Sequence, residues 1–189
     1  MTEEVKSSAV DHPTPAAVVK TPPGLRDVFG TVLDAVTTGI ASAAKGTGLA
    51  GAALLDAVTE VMKTAMRGAV GIGSDPVPGT KAMVMGIVRG TGEKGEAGLK
   101  ILSHAAKIVV HHTADVGGDL AAATKGVVLG AIASARTLGV DTAKAAATAA
   151  QGALEGAREA GSVTVERVLA ALKEPIGGSK VALPDLKAR

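Results

Sequence analysis

The chain contains a single aromatic residue, Phe29, in 189 positions, and this near absence limits the kind of core that it can build. Globular cores usually take much of their buried area from Phe, Tyr, Trp, Leu and Ile. Here glycine, with 25 residues, and alanine together supply about a third of the sequence. Small residues allow helix backbones to approach closely. The composition therefore predicts an all-α protein whose long, small-residue-rich helices bury little within one copy and pack against other copies.

Charge and cysteine content exclude several classes of function. The net charge is +2, and the 20 basic and 18 acidic residues are spread along the chain. Nucleic-acid binding favours a concentrated basic face with stacking aromatics, so we expect no nucleic-acid partner. Cysteine is absent, which excludes disulfides, thiolate metal sites and thiol catalysis. We expect no enzyme activity of the chain's own, and no catalytic, cofactor-binding or metal-binding residues.

The apolar stretches of the sequence indicate the cellular location of the protein. Its first six residues are polar and acidic and no apolar run follows them, so we expect no signal peptide. The most apolar stretch, 35–55, is interrupted by Lys45 and diluted by Thr and Gly, so we expect no transmembrane helix. These features favour a cytoplasmic protein that associates with a membrane only peripherally.

Proline and glycine divide the chain into segments. The polar N-terminal segment is typical of an extended arm, and Thr21-Pro22-Pro23 is typical of a helix start. Pro76 and Pro78 with flanking glycines indicate a break, and no proline then occurs until Pro175. We expect an extended docking arm (1–24), an N-terminal helical scaffold segment (25–73), a Pro/Gly break (74–79), a long helical stalk (80–174) with a hinge at 117–119, and an extended C-terminal tail (175–189).

A weak repeat runs along the chain at a spacing of 44 residues. Gly46-Thr47-Gly48 recurs as Gly90-Thr91-Gly92, and Asp75 recurs as Asp119. Forty-four is a multiple of eleven, and eleven residues complete three helical turns. The repeat indicates a long helical element rather than a compact enzyme domain, with Asp119 capping a new helix after the hinge.

A seven-residue frame over 84–116 places small and apolar residues on one face, which we call the seam. Two-stranded coiled coils normally carry Glu and Lys beside such a face, but here the flanks are apolar too. A face this wide contacts two neighbours, which predicts a coiled-coil-like bundle or tube of four or more chains with an apolar lumen. The seam comprises Val84, Val88, Gly95, Gly98, Leu102, Ala105 and Val109, and its flanks Met85, Ile87, Leu99, Ile101 and Ile108.

Three further patterns suggest other chemistry or packing. The stretches 46–51 and 90–95 both match the dinucleotide fingerprint GxGxxG, but the first follows a helical pattern and no series of βα units occurs. His104, His111 and His112 lack the spacing and the additional ligands that a metal site favours. Glycines four residues apart favour close helix approach. These pairs are Gly86 and Gly90, Gly126 and Gly130, and Gly152 and Gly156.

Two resemblances add to this interpretation. The Thr-Lys-Gly-Val texture of 79–81 and 123–128 resembles the eleven-residue amphipathic repeats of perilipins and synucleins, which implies a lipid-facing helix. As a whole, the chain resembles the HucM-type stalk and scaffold subunits of the mycobacterial Huc uptake hydrogenases, of the nickel–iron class. The Pro-containing arm up to Pro23, the helical segment 29–66 and the aromatic-free helix beyond Thr80 carry this resemblance. It implies a tetramer that gathers hydrogenase subunits at its N-terminal part, and a hollow apolar tube along which menaquinone arrives from the membrane.

Two functions of different classes follow. The first is a non-catalytic oligomeric scaffold that gathers subunits of a membrane-associated oxidoreductase and provides an apolar conduit for a lipid-soluble quinone or a lipid. Partner docking is expected at apolar anchors in and beside the arm, which folds when it binds: Val18, Val19, Leu25 and Phe29. The second is an amphipathic helical coat for lipid droplets, polymer granules or membrane surfaces.

Overall fold

The computed structural model describes residues 25–47, 52–69, 76–178 and 181, and their regular structure is α-helical. The all-α class expected from the composition is therefore confirmed for these residues. The described helices in chain order are α1 (Leu25–Thr47), α2 (Ala52–Ala69), α3 (Pro76–Thr91), α4 (Gly95–Asp115), α5 (Leu120–Leu138), α6 (Thr142–Ala160) and α7 (Ser162–Lys173).

Alternate helices lie side by side and run in the same direction. Gly86 of α3 faces Val36 of α1, and Gly90, one turn later, faces Ile40, also one turn later. The same ascending order relates α5 to α3 and α6 to α4. One layer therefore contains α1, α3 and α5, and a second contains α2, α4 and α6, while α7 packs on both α5 and α6. The arrangement is a short stack of helix pairs.

Glycine pairs make the closest contacts of this stack. A Cβ added at Gly152 or Gly156 of α6 would lie closer than 3.0 Å to backbone atoms of Ser103 and Lys107 in α4. The pairs in α3 and α5 would place a Cβ only 2.7 to 2.9 Å from side chains of the helix that they face. The prediction that these three glycine pairs permit close helix approach is confirmed, and in each case the facing helix belongs to the same chain.

The long helical stalk expected over 80–174, with a hinge at 117–119, is divided into five helices. Besides the separation of α4 from α5 at 116–119, breaks lie between α3 and α4, between α5 and α6 and at Gly161. Glycines with positive φ values, Gly92 at 68° and Gly139 at 68°, lie at two of these breaks. Glycine adopts this conformation readily and ends a helix without any proline. Helix boundaries that are placed at prolines therefore do not include these turns.

Other predicted boundaries also need correction. The scaffold segment 25–73 contains two helices, α1 and α2, rather than one. The predicted break at 74–79 overlaps α3, which begins at Pro76, because proline is tolerated in a first turn, where its missing N–H is not needed. In the tail expected at 175–189, the second residue, Ile176, is buried and packs with α7 in the core.

The repeat of 44 residues reflects pairs of helices. Helix α3 begins at Pro76 and α5 begins 44 positions later, at Leu120. Each period therefore contains two helices and their turns, as in other helical repeat proteins. The eleven-residue periodicity within a helix is the same whether the period forms one long helix or two shorter ones, so it does not distinguish the two. The interpretation as one long helix is wrong.

The chain encloses a core of its own, contrary to the expectation that one copy buries little. Among the described residues 35 hydrophobic side chains are buried, and 13 of them are alanines. One cluster joins α1 to α6, and a second joins α4, α5, α6, α7 and Ile176. The core therefore depends on close helix approach more than on large side chains.

Side-chain caps begin α5 and α6. Asp119 accepts hydrogen bonds from the backbone N–H groups of Ala121 and Ala122 at 2.9 and 3.0 Å, which confirms the cap expected there. Asp141 caps α6 in the same way. We expect Asp119→Ala and Asp141→Ala each to lower the free energy of unfolding by about 0.5–2 kcal/mol. Urea unfolding measures this, and Asp34→Ala, an exposed change inside α1, should stay within about 0.5 kcal/mol of the native chain.

Candidate functional site

The apolar seam residues lie inside the chain's own core. Val84, Leu102 and Ala105 have no exposed surface, and Val88 and Val109 are 1% exposed. The seven-residue frame crosses the loop between α3 and α4, so these side chains do not share one helix face. In this fold they are enclosed by helices of their own chain and do not face a second copy, so a lumen between chains stays a prediction.

The glycines of the seam and the residues that flank it lie in different environments. Gly95 has φ 55° and open space at its Cβ position, so it serves the turn before α4 rather than a packing contact. Gly98 is buried against Leu138 of α5. Among the flanking residues, Met85 and Ile108 are half-buried, and the following are buried: Ile87, Leu99 and Ile101.

The predicted docking residues lie at or beyond the edge of the described structure. Leu25 and Phe29 belong to the first turns of α1, but their side chains lie outside the described residues. Val18 and Val19, with the rest of the arm 1–24, also lie outside them, as does the C-terminal tail after Gly178 apart from Val181. Docking by the arm stays a prediction.

An apolar groove between α1 and α2 is the candidate site that sequence reasoning missed. Its volume is about 350 Å³, and the residues lining it are Ala35, Val36, Gly39, Glu60, Val61, Thr64 and Ala65. Val36, which is 1% exposed, packs with the core beneath the groove. Two of the residues that line it, Ala35 and Gly39, are small and lie one turn apart on α1. This spacing is visible in the sequence, but the pairing of the two helices is not.

His104 is the titratable side chain held between α2 and α4. Its Nε2 lies 3.0 Å from Thr59 Oγ1, and that hydroxyl donates its one proton to the carbonyl oxygen of Leu55 at 2.9 Å. The hydroxyl oxygen therefore accepts, and neutral His104 carries its proton on Nε2. Burial lowers the pKa of His104, and the nearby Lys107 lowers it further, against an opposing hydrogen bond with the Leu55 backbone.

This histidine makes the stability of the α2–α4 contact depend on pH. The folded pKa lies below the ordinary value of 6.5, so as pH falls the unfolded chain binds a proton before the folded chain does. The free energy of unfolding should therefore fall as pH drops through 6.5 and below. Urea unfolding between pH 7.5 and 5.0 measures this effect, and His104→Gln should show a shallower decline. An NMR titration that places the pKa of His104 above 6.5 would contradict the assignment.

Ion pairs on the surface join helices that are distant in sequence. Lys107 pairs with Glu159 between α4 and α6, and Lys125 pairs with Glu174 beyond α7, both at 2.6 Å. Glu96 pairs with Lys144 of α6, and Lys144 lowers the pKa of Glu96. The carboxylates of these pairs are exposed and Lys107 and Lys125 are half-buried, so each pair contributes little to stability.

The remaining motifs are explained by packing and turns. The GxGxxG match at 90–95 is the end of α3, a turn and the first residue of α4, and the match at 46–51 is only partly described. His111 Nε2 lies 3.5 Å from Asp115. Within the described ranges, no three His, Asp or Glu side chains are close enough together to hold a metal ion.

The described helices are each too short or too polar to cross a membrane. Comparison with protein-family models, with curated proteins and with solved structures finds no significant match to this chain.

Proposed function

We propose that the chain is a non-catalytic scaffold that gathers subunits of a membrane-associated oxidoreductase complex, of the hydrogenase kind, at its N-terminal end. The difference between the two ends of the helix stack carries this proposal. Helix α7 and Ile176 cover the C-terminal end, and α7 exposes Glu166, Arg167 and Lys173. At the other end α1 packs mainly against α2 and α3, and no other helix that the structure describes covers the apolar groove. Such an uncovered apolar end favours binding to another protein.

Several copies of the scaffold, four or more, are proposed to meet at this end. The outer face of α1 exposes Thr38 and Ser42, small side chains that allow another helix to approach closely. The test is native mass spectrometry of the tagged full chain, recovered gently from its own organism. The expected result is a homo-oligomer carrying hydrogenase or other oxidoreductase subunits in fixed ratio. Recovery of a monomer without any such subunit would refute the proposal.

The arm is proposed to hold the partners. Deleting residues 1–24 removes nothing from the seven described helices, so the truncated chain should keep its helical circular dichroism and its thermal midpoint. Recovery of oxidoreductase subunits with the truncated chain should fall at least tenfold on quantitative proteomics. Deletion of residues 182–189 is the matched control and should leave recovery unchanged. Full partner occupancy without the arm would show that docking occurs elsewhere.

A lipid-soluble quinone such as menaquinone, or a lipid, is the proposed cargo of the assembly. In the stack the seam side chains are enclosed, so a conduit would require α3 and α4 to separate from their neighbours. The many alanines of the core favour such an opening, because each buries less apolar surface than a larger side chain would. Lipid extraction and mass spectrometry of the purified complex test this point. If the purified complex contains neither quinone nor lipid, the proposed cargo is refuted, whereas the proposed scaffold function is not affected.

The amphipathic character of the helices favours the coat as a second candidate function. Along α4 and α6, one face buries small and apolar residues and the other exposes charged residues, and such faces can lie on a lipid surface once they separate. Flotation of the purified chain with vesicles of phosphatidylglycerol distinguishes the two functions. A coat binds these vesicles without any partner, whereas a scaffold docked by its arm does not.

A further inference from the structure

The groove between α1 and α2 lies within reach of the arm that precedes α1. Ala35 and Gly39 are 10 and 14 residues beyond Leu25, the first residue of α1. At about 1.5 Å of rise per residue they stand roughly 15 and 21 Å along the helix axis. The arm joins α1 at Leu25 and contains 24 residues. Its length therefore allows it to return along α1 as far as the groove.

The arm contains one apolar run, and that run has the matching distance from α1. Ala16-Ala17-Val18-Val19 is the only stretch of four consecutive apolar residues among residues 1–24. Measured from Pro22, which a reversal at Pro23-Gly24 places beside Leu25, Val18 lies four residues further on, and an extended chain of about 3.3–3.6 Å per residue spans about 13–14 Å there, close to the level of Ala35. Pro23-Gly24 favours a reversal of the chain just before the helix, because proline suits the second and glycine the third position of a type II turn.

We propose that in the free chain the arm folds back at Pro23-Gly24 and places Val18 or Val19 in the α1–α2 groove. Successive side chains of an extended strand point to opposite sides, so one valine enters the groove and the other faces solvent. The valine that enters packs beside Ala35 and against Ala65, at the end of the groove nearer the start of α1. The groove is thus a seat for the chain's own arm, and a partner that binds the arm must first displace it.

Disulfide trapping tests the contact, because the chain contains no cysteine. Thr64 is exposed and lines the groove, so Thr64→Cys can be combined with Val18→Cys or with Val19→Cys in the full chain. Under mild oxidation at least one of these two variants should form an intramolecular disulfide, seen by peptide mass spectrometry in most molecules. The same arm cysteines combined with Ala133→Cys, exposed on α5, should give at least tenfold less.

Two further measurements identify the occupant. Gly39→Leu fills the groove and should lower trapping at least tenfold while helical circular dichroism stays unchanged. Mixing unlabelled and nitrogen-15-labelled chains before oxidation should give cross-linked peptides with both halves labelled or both unlabelled. Mixed pairs would show that the groove receives the arm of a second copy, and absence of trapping in both variants would show that the arm lies elsewhere. Either result overturns the proposal, and neither depends on the identity of the oxidoreductase partners.

Discussion

Replacing Gly152 and Gly156 together by alanine is expected to lower the free energy of unfolding by at least about 3 kcal/mol. The two added Cβ atoms would lie closer than 3.0 Å to backbone atoms of Ser103 and Lys107. A helix backbone cannot move aside as the end of a flexible side chain can, so α6 would have to shift away from α4. That shift opens the buried contact between the two helices. It outweighs the roughly 1 kcal/mol per residue that alanine gains over glycine in helix propensity.

The same substitution at Gly30 supplies a matched control with the opposite sign. Gly30 lies inside α1, and nothing stands within 4 Å of a Cβ built there. Gly30→Ala should therefore raise the free energy of unfolding by about 0.5–1 kcal/mol. Urea unfolding followed by far-ultraviolet circular dichroism compares the two variants with the native chain. If the double variant at 152 and 156 were as stable as the native chain, α4 and α6 would not meet at these glycines.

The glycine pairs show what a local pattern does and does not specify. Spacing alone identifies Gly86 and Gly90 as a place where another helix approaches, because it puts two positions without side chains on one helix face. It does not say which helix approaches. Val36 and Ile40 lie 50 residues earlier in the chain, beyond the whole of α2. A contact between copies and a contact within one copy have the same sequence signature. The sequence analysis predicts a contact between copies.

The width of the apolar face of α4 was predicted from the sequence, but its neighbours were not. A face of this width indicates at least two neighbours, and α4 does pack against several helices, with α5 and α6 among them. Those helices belong to the same chain, because turns at Gly92 and Gly139 fold it back on itself. In a chain with 25 glycines, the few that end helices do not stand out from the many that lie within them.

The α1–α2 groove could not be predicted, because it depends on how two helices are placed and not on either alone. Gly39 faces Val61 across the groove, and neither position has a pattern that requires the other. His104 is similar, since its partner Thr59 lies 45 residues away in α2. Side chains of this kind become candidates only when the tertiary contact is known.

A charge at the centre of α4 is expected to unfold the chain. Leu102 has no exposed surface and belongs to the main core cluster. Leu102→Lys removes a packed side chain, which alone costs about 2–5 kcal/mol. It also buries an ammonium group without a partner, which adds several kcal/mol. Domains of this size are commonly stable by only about 5–15 kcal/mol, so we expect the variant to be largely unfolded or to melt far below the native chain.

A control substitution in the same helix, α4, separates the effect of adding a charge from the effect of burying it. Ala97→Lys introduces the same group on the exposed face of α4 and should change stability by no more than about 0.5 kcal/mol. Thermal unfolding by circular dichroism at micromolar concentration measures both variants. In a tube of separate stalk helices, a charge at position 102 would face a lumen, so each chain would keep its helices while losing assembly or cargo. A folded, helical Leu102→Lys chain with the stability of Ala97→Lys would therefore contradict the helix stack. It would instead support the prediction that the seam lies between copies of the chain. An unfolded one places Leu102 in the core of a single chain, since only there does its replacement remove the contacts on which the fold depends.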